Sequence, residues 1–346
     1  MNRRTLLASF AVFVLAVPSF AQDDAAKKPR LAFVTNCVAE FWTVGSFGVE
    51  AAKKEFGVDA VVRMPANGTA EEQKRILEDL LAKGVQGIAL SPKDPENMTA
   101  LLDKVASRAV LITHDSDAPA SKRLAYVGMD NYDAGRMCGQ LVKEALPNGG
   151  PIVILVGNLD QDNARRRRQG VIDEVLGRSR DPARFDKQDA VLKGDKYEIR
   201  ASFTDQFDRQ KAKAAAQDSL ARWNDVACMV GLFEYEPPLL LEAVKSANRV
   251  GKVALVGFDE NEATLQGIVD GQIHGTIVQN PDQVRPQVDR AAEAAGARDR
   301  REEARGAGAE GRLRRHPRAR DPQGQRAGVL GRPEAEDGQD REEVTT

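Results

Sequence analysis

The sequence predicts an α/β protein built from two Rossmann-like lobes, each a parallel sheet, joined by a hinge. Two observations carry this. Short β-rich runs alternate with stretches of helical periodicity from residue 30 to residue 279, and strand followed by helix, repeated, gives parallel sheets covered on both faces. The alternation then breaks at Gly128-Met129-Asp130-Asn131, which divides the series into two βα halves.

The first half, 30–129, contains candidate strands Leu31 to Thr35, Ala60 to Met64, Gly87 to Ser91, Val110 to His114 and Ala125 to Met129. Between them lie helical patterns over Gly45 to Phe56, Glu71 to Lys83 and Asn97 to Ser107. In the second half, 130–279, the strands are Ile152 to Gly157, Tyr197 to Phe203, Ala227 to Leu232, Ala254 to Phe258 and Ile273 to Val278. Its helices run over Tyr132 to Leu146, Asp162 to Leu176, Asp208 to Trp223 and Pro237 to Asn248. The strands are rich in β-branched and aromatic residues and are bounded by polar or glycine-containing turns.

With 346 residues and 42% hydrophobic content the chain has room for two packed cores. The N-terminus has a basic start, Asn2-Arg3-Arg4, an apolar run from Leu6 to Val17, and then Ser19-Phe20-Ala21. This order describes an export signal, 1–21, cleaved after Ala21, and the run is shorter than the ~20 apolar residues a membrane span needs. A formal net charge of -2 gives no general reason to expect nucleic acid or an acidic membrane as a partner. Cys37, Cys138 and Cys228 lie far apart with no CxxC or Cys/His cluster, so no metal, cofactor or redox site is expected.

In open parallel sheets, ligands bind beyond the carboxyl ends of the strands. Those ends are polar here: Phe41-Trp42 follows the first strand, Ser91 ends the third, and His114-Asp115-Ser116-Asp117 ends the fourth. Asp162-Asn163-Ala164-Arg165 follows the sixth and Phe258-Asp259 ends the ninth. Carboxylates accept hydrogen bonds from vicinal hydroxyls, arginine donates in a planar fork, and aromatic faces stack on the C–H face of a sugar ring. The mixture suits a neutral monosaccharide or small polyol. Each residue also has a plainer role open to it: Phe258 as a core cap, Asp259 as a helix N-cap, Asp115 as a turn residue, Trp42 as core, Glu236 as part of a helix start beside Pro237. His114 has no nucleophile pattern beside it and is expected to be a strand-end residue. Arg166 to Arg168 are expected on a solvated helical face.

Three segments carry a resemblance to a known family: Val256-Gly257-Phe258-Asp259, Ile277-Val278-Gln279-Asn280-Pro281-Asp282-Gln283, and Gly84 to Pro92. From about Leu31 to Gln283 the chain resembles the ribose-type periplasmic sugar-binding proteins, type I periplasmic binding proteins that feed ABC importers. The resemblance implies ring stacking by Phe41, Trp42 and Phe207, with Phe258 beside them. It implies hydroxyl recognition by Ser91, Asp115, Arg165, Glu236, Asp259 and Gln279, closure about a hinge near Asp130 and Gln279, and a monomer that docks on a membrane ABC permease. Ribose-binding members carry an Asp-Arg pair where this chain has Asp115-Ser116, and asparagines at the places of Ser91 and Glu236, so the resemblance implies a sugar or polyol without naming ribose. A sugar-responsive transcription regulator would need an N-terminal helix-turn-helix where the export signal stands. An enzyme on a nucleotide-binding fold would need GxGxxG or GxxxxGK[ST] after a strand, and neither occurs in the βα turns. A chemotaxis or signalling sensor of the same fold remains open.

After a crossover at 280–284 the composition changes. Residues 285–346 contain no Lys, Asn, Ser, Ile, Phe, Tyr or Trp, while Arg, Ala, Gly, Glu and Pro crowd in. Such a stretch is not expected to build an ordinary core. It reads either as a natural disordered extension or as the product of a reading-frame shift near 282–285, the source of this bias in GC-rich DNA; codons permitted for 288–293, read one nucleotide later, spell Ser-Thr-Glu-Leu-Leu-Lys. The second reading would make the chain a frameshifted and non-functional family member.

Overall fold

The computed structural model describes residues 28–279; the expectations for 1–21, for the crossover at 280–284 and for the tail at 285–346 lie outside the described residues. The first sheet has the order β2-β1-β3-β4-β5, all parallel, from β1 (Arg30–Val34), β2 (Asp59–Arg63), β3 (Gly87–Leu90), β4 (Val110–His114) and β5 (Ala125–Val127). The second has the order β11-β10-β9-β6-β8-β7, from β6 (Gly150–Val156), β7 (Leu192–Lys193), β8 (Tyr197–Thr204), β9 (Cys228–Gly231), β10 (Ala254–Phe258) and β11 (Gly275–Ile277). All its pairings are parallel except that of β7 with β8. β7, only two residues long, has too little sequence for a period-2 pattern and is absent from the sequence expectation.

Helices cover both faces of each sheet. On the first, α1 (Glu40–Phe56) buries Trp42, Val49 and Ala52 against Leu31, Phe33 and Ala89. α2 (Ala70–Ala82) and α3 (Pro95–Arg108) bury Leu77, Leu80, Met98 and Leu102 against Val34, Ile88 and Leu90 on the other face. Burying each such side chain contributes ~1.5 to 3 kcal/mol. α1 starts five residues earlier than its apolar periodicity suggests, because Glu40, Phe41 and Trp42 form its first turn. Thr69 caps α2 by accepting from the Glu72 N–H, and Asp94 caps α3 from Asn97, with Pro95 in the first turn.

The chain leaves the first sheet after Val127 and enters the second lobe through Asp130, whose carboxylate accepts from the N–H groups of Tyr132 and Asp133 and so starts α4 (Asn131–Ala145). α4 and α5 (Asp162–Val175) cover one face of the second sheet, packing Cys138, Val142, Val171 and Ile172 on Ile152, Ile154 and Val230. α6 (Arg209–Arg222) and α7 (Glu236–Ser246) cover the other, over Val153, Leu155 and Met229. A short α8 (Glu262–Val269), capped by Asn261, joins β10 to β11. Cys138 and Cys228 are core residues and Cys37 is partly buried, all three unpaired.

Backbone rather than side chain sets the α4–α5 distance. A Cβ at Gly135 would lie 2.1 Å from the carbonyl oxygen of Arg167, and one at Gly170 would lie 2.1 Å from that of Tyr132. Any larger residue at either position pushes the helices apart. This close approach places Arg167 at the carboxyl edge of the second sheet.

Candidate functional site

The carboxyl ends of the two sheets face one another across a small, nearly filled cavity of about 40 Å³. From the first lobe it is lined by Asn36, Cys37, Ala39, Phe41, Trp42 and Asp115. From the second come Arg167, Phe207, Phe233, Glu234, Tyr235, Asp259 and Gln279.

The first-lobe wall is aromatic and fixed. Trp42, 3% exposed, donates its indole N–H to the Asn36 side-chain oxygen at 2.9 Å and packs edge-on against Phe33, Phe41 and His114. His114 stacks on Phe33 at 4.2 Å between centroids. Burial pulls its imidazole down to about 3, so it is neutral at pH 7 and holds its expected place as a buried strand-end residue.

Asp115 follows β4 in a left-handed conformation, φ 58°. Its carboxylate accepts from Ser91 Oγ at 2.9 Å and from Asn163 Nδ2 at 3.1 Å, with Asn36 Nδ2 at 3.4 Å. The Asn131 amide donates to its backbone carbonyl at 2.8 Å. Burial pushes this carboxyl upward; the Arg167 charge, then Ser91 and Asn163, hold it down.

Arg167 is 1% exposed and lies over the Phe258 ring at 4.7 Å and the Phe233 ring at 5.5 Å. Its Nε donates to Asn131 Oδ1 at 2.8 Å and its Nη1 to the Leu232 carbonyl at 3.0 Å. Nη2 is 3.6 Å from Asp115 Oδ1 and has no hydrogen-bond partner among the described residues. On the other side Asp259, φ 64° and 4% exposed, accepts from Gln279 Nε2 at 2.9 Å. Burial raises this carboxyl too, with Arg167 as the main opposing charge.

Phe207 is the third cavity residue in the left-handed region, φ 61°, where a bulky side chain is strained. Two contacts hold it there. Its N–H donates to Asp205 Oδ1 at 2.8 Å, and its ring lies over Gly157, where a Cβ would come within 2.5 Å of it. Asp115, Phe207 and Asp259 thus share a backbone conformation that is costly away from functional sites.

Of the ten residues expected to bind ligand, Phe41, Trp42, Asp115, Phe207, Asp259 and Gln279 are brought together at the cavity. Ser91 and Phe258 lie one layer behind it: Ser91 orients Asp115, and Phe258 is the apolar plate under the Arg167 guanidinium. Two of the ten lie elsewhere. Arg165 points away from the cavity and pairs with Glu96 of α3 at the rim between the lobes. At about 100° per residue, positions two apart on a helix diverge by about 200°, whereas Asn163 and Arg167, four apart, share the face toward Asp115. Glu236 is fully buried against β9; its Oε2 accepts the N–H groups of Leu232 and Phe233 at 2.6 and 3.0 Å, and a Cβ at Gly231 would come within 2.8 Å of its Cβ. Glu234, two residues earlier, takes the place at the cavity.

The solvated face expected for Arg166 to Arg168 is also corrected. Arg166 is partly buried against Asp162 at 2.7 Å. Arg168 is buried, donating to Ser202 Oγ at 2.8 Å and to the carbonyls of Asp186 and Lys187 at 2.8 and 2.9 Å. The repeated side-chain type hides three different surroundings. Asn36, Cys37, Ala39, Phe233, Glu234 and Tyr235 were not anticipated. The rule that ligands sit beyond strand ends points to those after β1 and β9, and the Asn163–Arg167 spacing was the legible signal for Arg167. Among the described residues there is no cluster of metal-binding side chains and no helix long and apolar enough to cross a membrane.

The sequence matches the family described as periplasmic binding protein domain over residues 32–297. The chain belongs to this family. It is similar to the ribose import binding protein of Haemophilus influenzae, 26% identical over 285 residues that cover 82% of this chain and 89% of the relative. It is likewise similar to the D-ribose/D-allose-binding protein of Pseudomonas aeruginosa, 25% identical over 294 residues, 80% of this chain and 86% of the relative. In fold it is similar to an ABC transporter solute-binding protein from Burkholderia graminis in complex with D-arabinose, with a TM-score of 0.71 at 22% identity, covering 78% of this chain and 90% of that one. The two-lobed α/β architecture is that of the type I periplasmic binding proteins. Together these make the chain a periplasmic binding protein of the type I fold that is similar to ribose-type members.

Proposed function

We propose that the chain is an exported, periplasmic substrate-binding protein, monomeric, which captures a monosaccharide or related polyol between its lobes and delivers it to a membrane ABC permease. The observation that carries this reading is the pairing at the cavity of two buried carboxylates, Asp115 and Asp259, with one guanidinium, Arg167, whose Nη2 has no hydrogen-bond partner among the described residues. Carboxylates held in this way accept from hydroxyl pairs, the free N–H donates to a hydroxyl or ring oxygen, and Phe41, Trp42 and Phe207 supply C–H stacking faces. The two lobes contribute to one site, and contacts such as Asn163 to Asp115 join them across it. A ligand that bridges the lobes stabilises the closed form, which a permease can distinguish from the open one.

Calorimetry with a panel of pentoses, hexoses and sugar alcohols tests the reading. At least one is expected to bind, and Asp259→Ala is expected to weaken it by ~1.5 to 3 kcal/mol through loss of charge-assisted hydrogen bonds. Unchanged affinity in that variant, or conversion of any bound sugar, would overturn the proposal.

A further inference from the structure

The charges around the cavity do not balance. Asp115, Glu234 and Asp259 line it, with Arg167 as the one cation lining it among the described residues. Arg167 is the main favourable charge for both Asp115 and Asp259, which leaves Glu234 without it. Among the described residues the adjoining pocket adds Glu40 to Glu234 and Asp259, together with Phe41, Val44 and Asn261.

Glu234 is also unfinished as a hydrogen-bonding group. It follows β9, is 7% exposed, and accepts from Asn261 Nδ2 through Oε1. Its Oε2 is buried with no hydrogen-bond partner among the described residues. Burial pushes the carboxyl upward, and the charges of Glu40 and Asp259 push the same way; Asn261 and the exposed Arg209 of α6 oppose them. Lys93, the other buried cation nearby, lies with its ammonium over the Phe207 ring at 3.5 Å and has no hydrogen-bond partner among the described residues; it is not among the charges that act most on Glu234. A buried carboxylate oxygen with no donor is costly. A neutral hydroxyl would satisfy the missing hydrogen bond and leave the charge. A protonated amine would supply both, and the aromatic faces of Phe41, Phe233 and Tyr235 around Glu234 suit a cation.

We propose that the ligand is an amine-bearing polyol, an aminodeoxy sugar or aminocyclitol, whose ammonium group lies against Glu234. This rests on the reading of the cavity as a sugar site and narrows it to a cationic class. Glu234 is then the residue that sets specificity for charge, while Asp115, Arg167 and Asp259 read the hydroxyls.

Matched pairs of probes test this by calorimetry at pH 7 on the full chain: D-glucosamine against D-glucose, and scyllo-inosamine against scyllo-inositol, with N-acetyl-D-glucosamine as a bulkier uncharged control. The expected result is that at least one amine binds about tenfold or more tightly than its neutral partner, as a charge-assisted hydrogen bond in a desolvated site implies. In Glu234→Gln the ratio is expected to fall toward one. Neutral sugars bound as tightly as their amines, or an amine preference that survives Glu234→Gln, would overturn the charge assignment and leave the sugar-site reading standing. Failure of every amine and of every sugar in the wider panel would overturn both.

Discussion

Two pairs of buried carboxylates stand at strand ends of this protein, and they are neutralised in opposite ways. Asp115 and Asp259 flank the cavity and share the guanidinium of Arg167. Asp205 and Glu236, at the ends of β8 and β9, face one another behind the cavity, with the Tyr235 hydroxyl donating to Asp205. Burial pushes both members of the second pair upward, Asp205 to about 6 and Glu236 well above its ordinary range, the Asp205 charge adding to the push on Glu236. An arginine that opposes the push of burial favours the charged carboxylate, an acceptor for ligand hydroxyls. A second carboxyl favours a shared proton instead, and the pair acts as a brace, here tying the β8 and β9 loops together and holding Phe207 in place.

The largest effect should come from breaking the first pair's arrangement. Arg167→Met leaves Asp115 and Asp259 buried without their common cation, and breaking a buried pair in this way costs ~3 to 5 kcal/mol. Thermal or urea denaturation should show that loss, with sugar binding abolished. A variant within 1 kcal/mol of the parent, by the same order-of-magnitude reasoning, would mean that the carboxylates find their counter-charge elsewhere.

The second pair should show itself through pH. Because folding raises these carboxyl pKa values, the folded protein binds more protons than the unfolded chain. Their contribution to stability is therefore fully present below the ordinary carboxylate range and is lost as pH rises through about 6. His114 works in the other direction, since its lowered pKa destabilises the fold as pH falls below its ordinary value of 6.5. The informative quantity is thus a difference: melting temperature against pH for the parent minus that for Glu236→Gln. It should fall as pH rises from the ordinary carboxylate range through about 6. A flat difference would mean that folding leaves the Glu236 carboxyl unshifted.

The smallest effect belongs to the rim. Arg165→Ala removes the ion pair with Glu96 between the lobes, whose glutamate is 71% exposed. Exposed pairs contribute ~0 to 1 kcal/mol and weaken with salt, so affinity should change by a few-fold at most and less at high salt. A loss as large as that of Asp259→Ala would return Arg165 to the binding set.

Much of this was legible in the sequence. The order of strands and helices follows from local pattern, because each strand carries its own apolar run and each helix its own amphipathic period. Asp115 and Asp259 could be located as strand-end residues by the geometry of parallel sheets alone. The sequence also determined that the chain is a two-lobed periplasmic binding protein in kind, through segments such as Val256-Gly257-Phe258-Asp259. The tertiary structure decided which of several like residues meets the cavity. Arg165 and Arg167 are chemically the same, and only the rotation of α5, fixed where Gly135 and Gly170 let two backbones touch, selects one of them. Glu234 and Glu236 differ by two positions at the end of β9, and the start of α7 sends the second into the core and leaves the first at the cavity wall. Composition and spacing name the type of group; the side-chain direction that gives it a role depends on packing contacts made far along the chain.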